Sequence, residues 1–135
     1  MARMNDMQRR ELMARFRSKD TRPEMIVRRA LHRAGRRFRL HRKDLPGRPD
    51  IVLPKDKVAI LVHGCFWHGH EGCSIARTPK TRQSFWIEKF TKNRERDVRV
   101  KDELEGMGWR VVILWECDVK STDIEELLRN NGLIA

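Results

Sequence analysis

With 135 residues, a net charge of +11 and 36% charged side chains, the chain is sized for one domain, residues 1–135, around one core. It has no run of about 18 apolar residues and no hydrophobic leader, which argues against a membrane span or secretion. Three cysteines, two of them set among histidines, predict a reducing cytoplasmic compartment and thiolate metal ligands in place of a disulfide framework.

The charge is unevenly placed. Residues 1–48 carry 16 Lys and Arg against five acids, whereas residues 49–135 carry 14 against 14. Arginine dominates the excess, and its planar fork suits phosphate. Such a surface favours a polyanionic partner, with simple solubility as the plainer alternative. Residues 1–20 read as a basic arm that includes a short helix over residues 5–17, with Leu12, Met13 and Phe16 on its apolar side.

Thr21-Arg-Pro-Glu24 has the form of a capping box and predicts a second helix, with Ile26, Val27, Ala30 and Leu31 at helical spacing and a stop at Gly35. A strand is expected over residues 37–41, then a Pro- and Gly-rich turn ending at Pro49. Ile51–Leu53 and residues 58–62 read as strands joined by a polar turn, the second apolar enough to be central and covered. A long helix over residues 82–105, a covered strand over residues 110–115 and a last helix around Ile124, Leu127 and Leu128 complete an α/β domain, a mixed sheet flanked by helices.

Residues 63–73 hold three of the five histidines and two of the three cysteines. Cys65, His70 and Cys73 lie in a loop that can fold around one ion. Cys117 supplies a fourth ligand if the strand ending near residue 115 lies beside the one ending near residue 62. Three sulfurs and one nitrogen suit tetrahedral Zn²⁺, and four protein ligands make such a site structural. His68 or His63 in place of His70, and three buried free cysteines without metal, remain open alternatives at this point.

Asp50 follows a turn and opens a strand, while the adjacent strand ends at Val62-His63. A carboxylate and a strand-end carbonyl can hold Mg²⁺ against a phosphate, and a histidine within reach can take a proton from water. Glu24 is a third acidic candidate. The plainer readings are an Asx turn for Asp50, a helix cap for Glu24 and satisfied polar residues for His63 and His68.

Five ordered motifs carry a resemblance that spans nearly the whole chain: Leu-Pro-Gly-Arg-Pro-Asp50, His63-Gly-Cys-Phe-Trp-His68, Thr81-Arg-x-x-Phe-Trp86, Lys92-Asn-x-Glu-Arg-Asp97 and Gly108-Trp-Arg-Val-x-x-x-Trp-Glu-Cys117. In these the chain resembles the very short patch repair endonucleases, which cut one strand of duplex DNA at a T:G mismatch left by deamination of 5-methylcytosine. The resemblance implies the restriction-endonuclease-like α/β core, stapled by structural zinc on Cys65, His70, Cys73 and Cys117. It implies Asp50 as the Mg²⁺ carboxylate, with Val62 serving through its backbone carbonyl. It also implies His68 acting on the attacking water, His63 assisting at the scissile phosphate and Glu24 in the same site. Phe66, Trp67 and Trp86 would form a wedge entering the base stack from the major groove, with Met13 and Phe16 entering from the other side. Such an enzyme works as a monomer on DNA in the bacterial cytoplasm, alongside mismatch-repair proteins and a repair polymerase. Two features depart from the family's usual form: Val62 stands where threonine is usual, and the His70–Cys73 segment is one residue longer. A restriction-like enzyme cutting both strands and a zinc-stapled DNA-binding module without chemistry are the competing readings.

Overall fold

The computed structural model describes residues 21–65, 68, 70, 73 and 81–135. The expected arm helix, with Met13 and Phe16, lies outside the described residues, as do Phe66 and Trp67.

Helix α1, Arg22–Arg33, starts where the sequence places it: the Thr21 hydroxyl accepts the Glu24 backbone N–H at 3.4 Å, and Pro23 occupies the first turn. Only half of the capping box forms, because the Glu24 side chain turns instead to His41. Gly35, at φ 75°, takes the left-handed conformation that ends the segment. Strand β1 is shorter than expected, Arg39–Leu40, because His41 at φ 46° leaves the extended region. Strands β2 (Ile51–Leu53) and β3 (Val58–His63) form as expected around their polar turn. Helix α2 spans Gln83–Gly106 and strand β4 spans Arg110–Trp115. A short helix that the sequence reading did not contain, α3 (Glu116–Ser121), takes Cys117 into its first turn, so Cys117 is a helical residue and no continuation of the strand. Helix α4, Ile124–Asn130, is capped by Asp123, whose carboxylate accepts the N–H groups of Glu125 and Glu126.

The sheet order is β1-β2-β3-β4. β1/β2 and β2/β3 are antiparallel and β3/β4 is parallel, so the sheet is mixed. A parallel neighbour demands a long crossover, and α2 supplies it. Alternation along the strands sorts two apolar faces. Ile51, Leu53, Ile60 and Leu114 pack with Val27 and Leu31 of α1, Val119 of α3 and Leu128 of α4. Val52, Ala59 and Leu61 pack with Val100 and Leu104 of α2. The result is a helix–sheet–helix sandwich with β3 at its centre. Gly47, at φ 71°, lies so close to the Val100 side chain that any Cβ would collide with it; this contact seats the turn leading to Asp50 against α2.

Candidate active site and metal centre

The parallel register of β3 and β4 sets Val62 beside Leu114 and His63 beside Trp115. Both strands therefore deliver their following residues to one end of the sheet. Antiparallel β2 begins at that same end, which brings Asp50 there as well. Three clusters of ligand-type side chains result. Within each, the ligand atoms lie within 4.8 Å of one another.

The first cluster is Cys65, His70, Cys73 and Cys117, the four residues expected from spacing. Cys65 is fully buried directly after β3, and its thiol sulfur accepts the Cys117 backbone N–H at 3.4 Å. Its own N–H donates to Glu116 at 3.3 Å. The loop is turned by backbone bonds from His70 to Cys65 and from Cys73 to His70. His70 Nδ1 lies 3.5 Å from the Cys117 sulfur, and its ring stacks on Trp115 at 4.0 Å. Burial pushes the Cys65 thiol up to about 12 and raises that of Cys117. A buried thiol such as that of Cys65 is inert without a cation to favour the thiolate. Sulfurs held about 2.3 Å from zinc stand roughly 3.8 Å apart in a tetrahedron. The donor set and its spread therefore fit zinc, and His70, not His63 or His68, is the imidazole of the set.

The second cluster is Glu24, His41 and Asp50. Asp50 follows two residues that cannot be ordinary strand: Arg48 at φ 46° and Pro49. The Val62 N–H donates to Asp50 Oδ2 at 2.8 Å, while the Val62 side chain packs on the α1 face of the core. Burial, opposed by that N–H and reinforced by the nearby Glu24, pushes the Asp50 carboxyl up from 3.8 to about 6. Glu24 is 1% exposed; Oε1 meets His41 Nε2 at 2.6 Å, and Oε2 is buried without a partner among the described residues. A buried carboxylate with an unpartnered oxygen beside a half-buried one forms a hard donor set that fits Mg²⁺.

The third cluster is His63, His68 and Asp97. His68 Nδ1 lies 2.5 Å from Asp97 Oδ2, and His63 Nε2 lies 3.9 Å from Oδ1. The two imidazoles stack in parallel, 3.9 Å apart. Burial first, then the proximity of His68, lowers His63 to about 4, with Asp97 opposing, so His63 is neutral near pH 7. A proton on His68 Nδ1, facing the Asp97 carboxylate, leaves Nε2 as the acceptor.

His41 and Asp97 had no assigned role in the sequence reading. Asp97 did carry a signal: Phe90, Asp97 and Leu104 recur at seven-residue spacing, so a carboxylate sits on the inward stripe of α2 between two buried apolar residues. His41 carried none, since its contact with Glu24 is made across 17 positions through a turn. Trp86 is half-buried near the start of α2, edge-on to Phe85 at 5.2 Å and stacked over Phe90 at 6.0 Å. Its intended partners in a wedge lie outside the described residues.

Residues 1–74 match the family described as DNA mismatch endonuclease Vsr. The chain is 51% identical to the type II nicking enzyme V.XorIIP of Xanthomonas oryzae pv. oryzae, over 95% of this chain and 94% of that protein. It is 45% identical to the type II nicking enzyme V.NmeAIP of Neisseria meningitidis, over 84% of this chain and 80% of the relative. It is also 42% identical to the DNA mismatch endonuclease Vsr of Escherichia coli, over 78% of this chain and 67% of the relative. With its ligand clusters gathered where β2, β3 and β4 meet, the chain belongs to the Vsr family of DNA mismatch endonucleases.

Proposed function

We propose that this protein is a strand-specific endonuclease that nicks duplex DNA 5′ of the thymine in a T:G mismatch left by 5-methylcytosine deamination, and so starts very short patch repair. The observation that carries the reading is the meeting of a carboxylate pair, Glu24 buried and Asp50 half-buried, with a carboxylate-oriented histidine at one sheet end. Asp50 is tied by the Val62 N–H, and His68 is held by Asp97.

Asp50 and Glu24 would hold Mg²⁺, with the Val62 carbonyl completing the protein's share. Bound there, the ion would polarise a phosphoryl oxygen and favour hydroxide over water. Asp97 fixes the His68 ring, whose Nε2 takes the proton of the attacking water. The new bond joins the water oxygen to phosphorus; the bond to the 3′ oxygen breaks, and that oxygen takes a proton from solvent. Neutral His63 serves as a hydrogen-bond donor to the phosphate. Stabilising charge on a phosphoryl group and positioning the nucleophile are the main work of such a site.

Zinc on Cys65, His70, Cys73 and Cys117 would pin the loop carrying Phe66 and Trp67 to the ends of β3 and β4. On this reading those rings, with Trp86, enter the base stack from one groove, and Met13 and Phe16 enter from the other. Stacking a base on an aromatic is worth about 1–3 kcal/mol, whereas opening a step costs a few. The balance favours insertion at a weak mismatch over a sound pair. The basic arm, residues 1–20, clamps phosphates without reading bases.

Single-turnover assays on T:G and matched duplexes, with and without Mg²⁺, test the proposal. It requires a nick in the T-containing strand only, dependent on Mg²⁺ and on the mismatch. Cleavage of both strands of matched DNA would establish a restriction-like enzyme, and binding with no cleavage a recognition module.

A further inference from the structure

We propose that His41 is a positioning residue of the cation site: its imidazole occupies one oxygen of Glu24 and so leaves the other for the cation shared with Asp50. The inference rests on the reading of Asp50 and Glu24 as that site.

Glu24 reaches the site from α1, Asp50 from the start of β2, and His41 from the residue after β1. His41 is bound at both levels. Its backbone N–H donates to the Asp50 carbonyl at 3.2 Å, and its Nε2 lies 2.6 Å from Glu24 Oε1. One residue thereby fixes the spacing of both carboxylate-bearing segments. The backbone conformation is part of the device. Leu40 packs on the α1 side of the sheet, so a regular strand would send the next side chain to the opposite face. The left-handed turn at His41, φ 46°, breaks that alternation and brings the ring to Glu24 on α1.

The pairing has a chemical consequence. An unrestrained glutamate can bind a cation through either oxygen or swing away from it. With Oε1 held, Glu24 keeps a single oxygen, Oε2, which is buried and has no partner among the described residues. A hard cation prefers carboxylate oxygen to imidazole nitrogen, so the ring serves best by holding the carboxylate. Partners that hydrogen-bond a ligating carboxylate raise metal affinity by roughly 10–100-fold.

The test is Mn²⁺ binding to the zinc-loaded full chain without DNA, followed by the electron paramagnetic resonance signal of free Mn²⁺. Asp50→Ala should remove the site. His41→Ala should weaken binding about tenfold or more, with zinc content unchanged and the protein still folded at the assay temperature. His41→Leu is a second donor-free variant should alanine unfold the turn. His41→Gln, whose amide can still donate to Glu24, should stay within about threefold of wild type, far less than the loss of a carboxylate's hydrogen-bonding partner. Nicking by His41→Ala should need correspondingly more Mg²⁺, with a smaller change in the saturated rate. Wild-type affinity in the donor-free variants would overturn the proposal, and so would glutamine binding as weakly as alanine. Mn²⁺ bound equally well by Asp50→Ala would instead overturn the cation-site reading beneath it.

Discussion

Two metal-capable clusters share one end of the sheet and are built on opposite principles. The Cys65–His70–Cys73–Cys117 set has soft donors and, with four of them, no vacant position. The Glu24–His41–Asp50 set has hard donors, an oxygen left unpartnered and a carboxyl raised to about 6 by burial. A closed set can only staple, and an open one can take a substrate. On the proposed reading, donor number and softness, more than proximity to the sheet end, separate the stapling cluster from the reactive one.

The largest expected effect falls on the closed set. Cys117→Ala, or zinc removal by a chelator, should cost several kcal/mol and unfold much of the protein, since structural zinc contributes directly to folding. Calorimetry and zinc analysis check this; a protein purified without zinc that melts normally would remove the staple. Asp50→Ala should leave zinc and melting temperature nearly intact.

Next comes His68, the histidine proposed to act on the attacking water. His68→Ala should slow single-turnover nicking by about 10²–10⁴-fold, the range for a lost general base. Asp97→Asn, which spoils the acceptor facing His68 Nδ1, should fall in the same direction with binding preserved. A normal rate in His68→Ala would detach this histidine from the reaction.

A smaller effect sharpens the contrast through pH. In the folded protein Asp50 holds its proton up to about pH 6, against 3.8 ordinarily. The folded state therefore binds more protons than the unfolded chain between those values, and stability falls as pH rises through them. His63, lowered to about 4, works in the opposite sense over a similar range. Comparing wild type with Asp50→Asn cancels that contribution. In Mg²⁺-free buffer the asparagine protein should match wild type below about pH 4 and exceed it above pH 6, by no more than about 3 kcal/mol. Denaturant titrations across that range check the sign; an asparagine protein less stable above pH 6 would mean that the carboxylate is well solvated.

The two sets also differed in how far the sequence betrayed them. The Cys65–His70–Cys73–Cys117 set was legible because cysteine is rare here, and because two apolar runs, residues 58–62 and 110–115, bring Cys65 and Cys117 together if they pair side by side, as β3 and β4 do. The fold was legible for a related reason: the continuous apolar runs of β2 and β3 and the cap at Thr21 are local signals. The open set was only partly legible. Asp50 stood out after its turn and Glu24 was a third acidic candidate, with helix capping as the plainer reading, a role that its backbone N–H alone fulfils. His41 depends on one left-handed residue and a contact 17 positions away, which no periodicity encodes. Helix α3 escaped because six residues are too few for a helical pattern.

The division of labour between the clusters is tested most directly by Asp50→Ala on a T:G duplex, with nicking and mismatch binding measured in the same preparation. The predicted result is full zinc content, binding close to wild type and no Mg²⁺-dependent nick. Nicking at near the wild-type rate would contradict the assignment of Asp50, and with it the claim that the open cluster carries the chemistry.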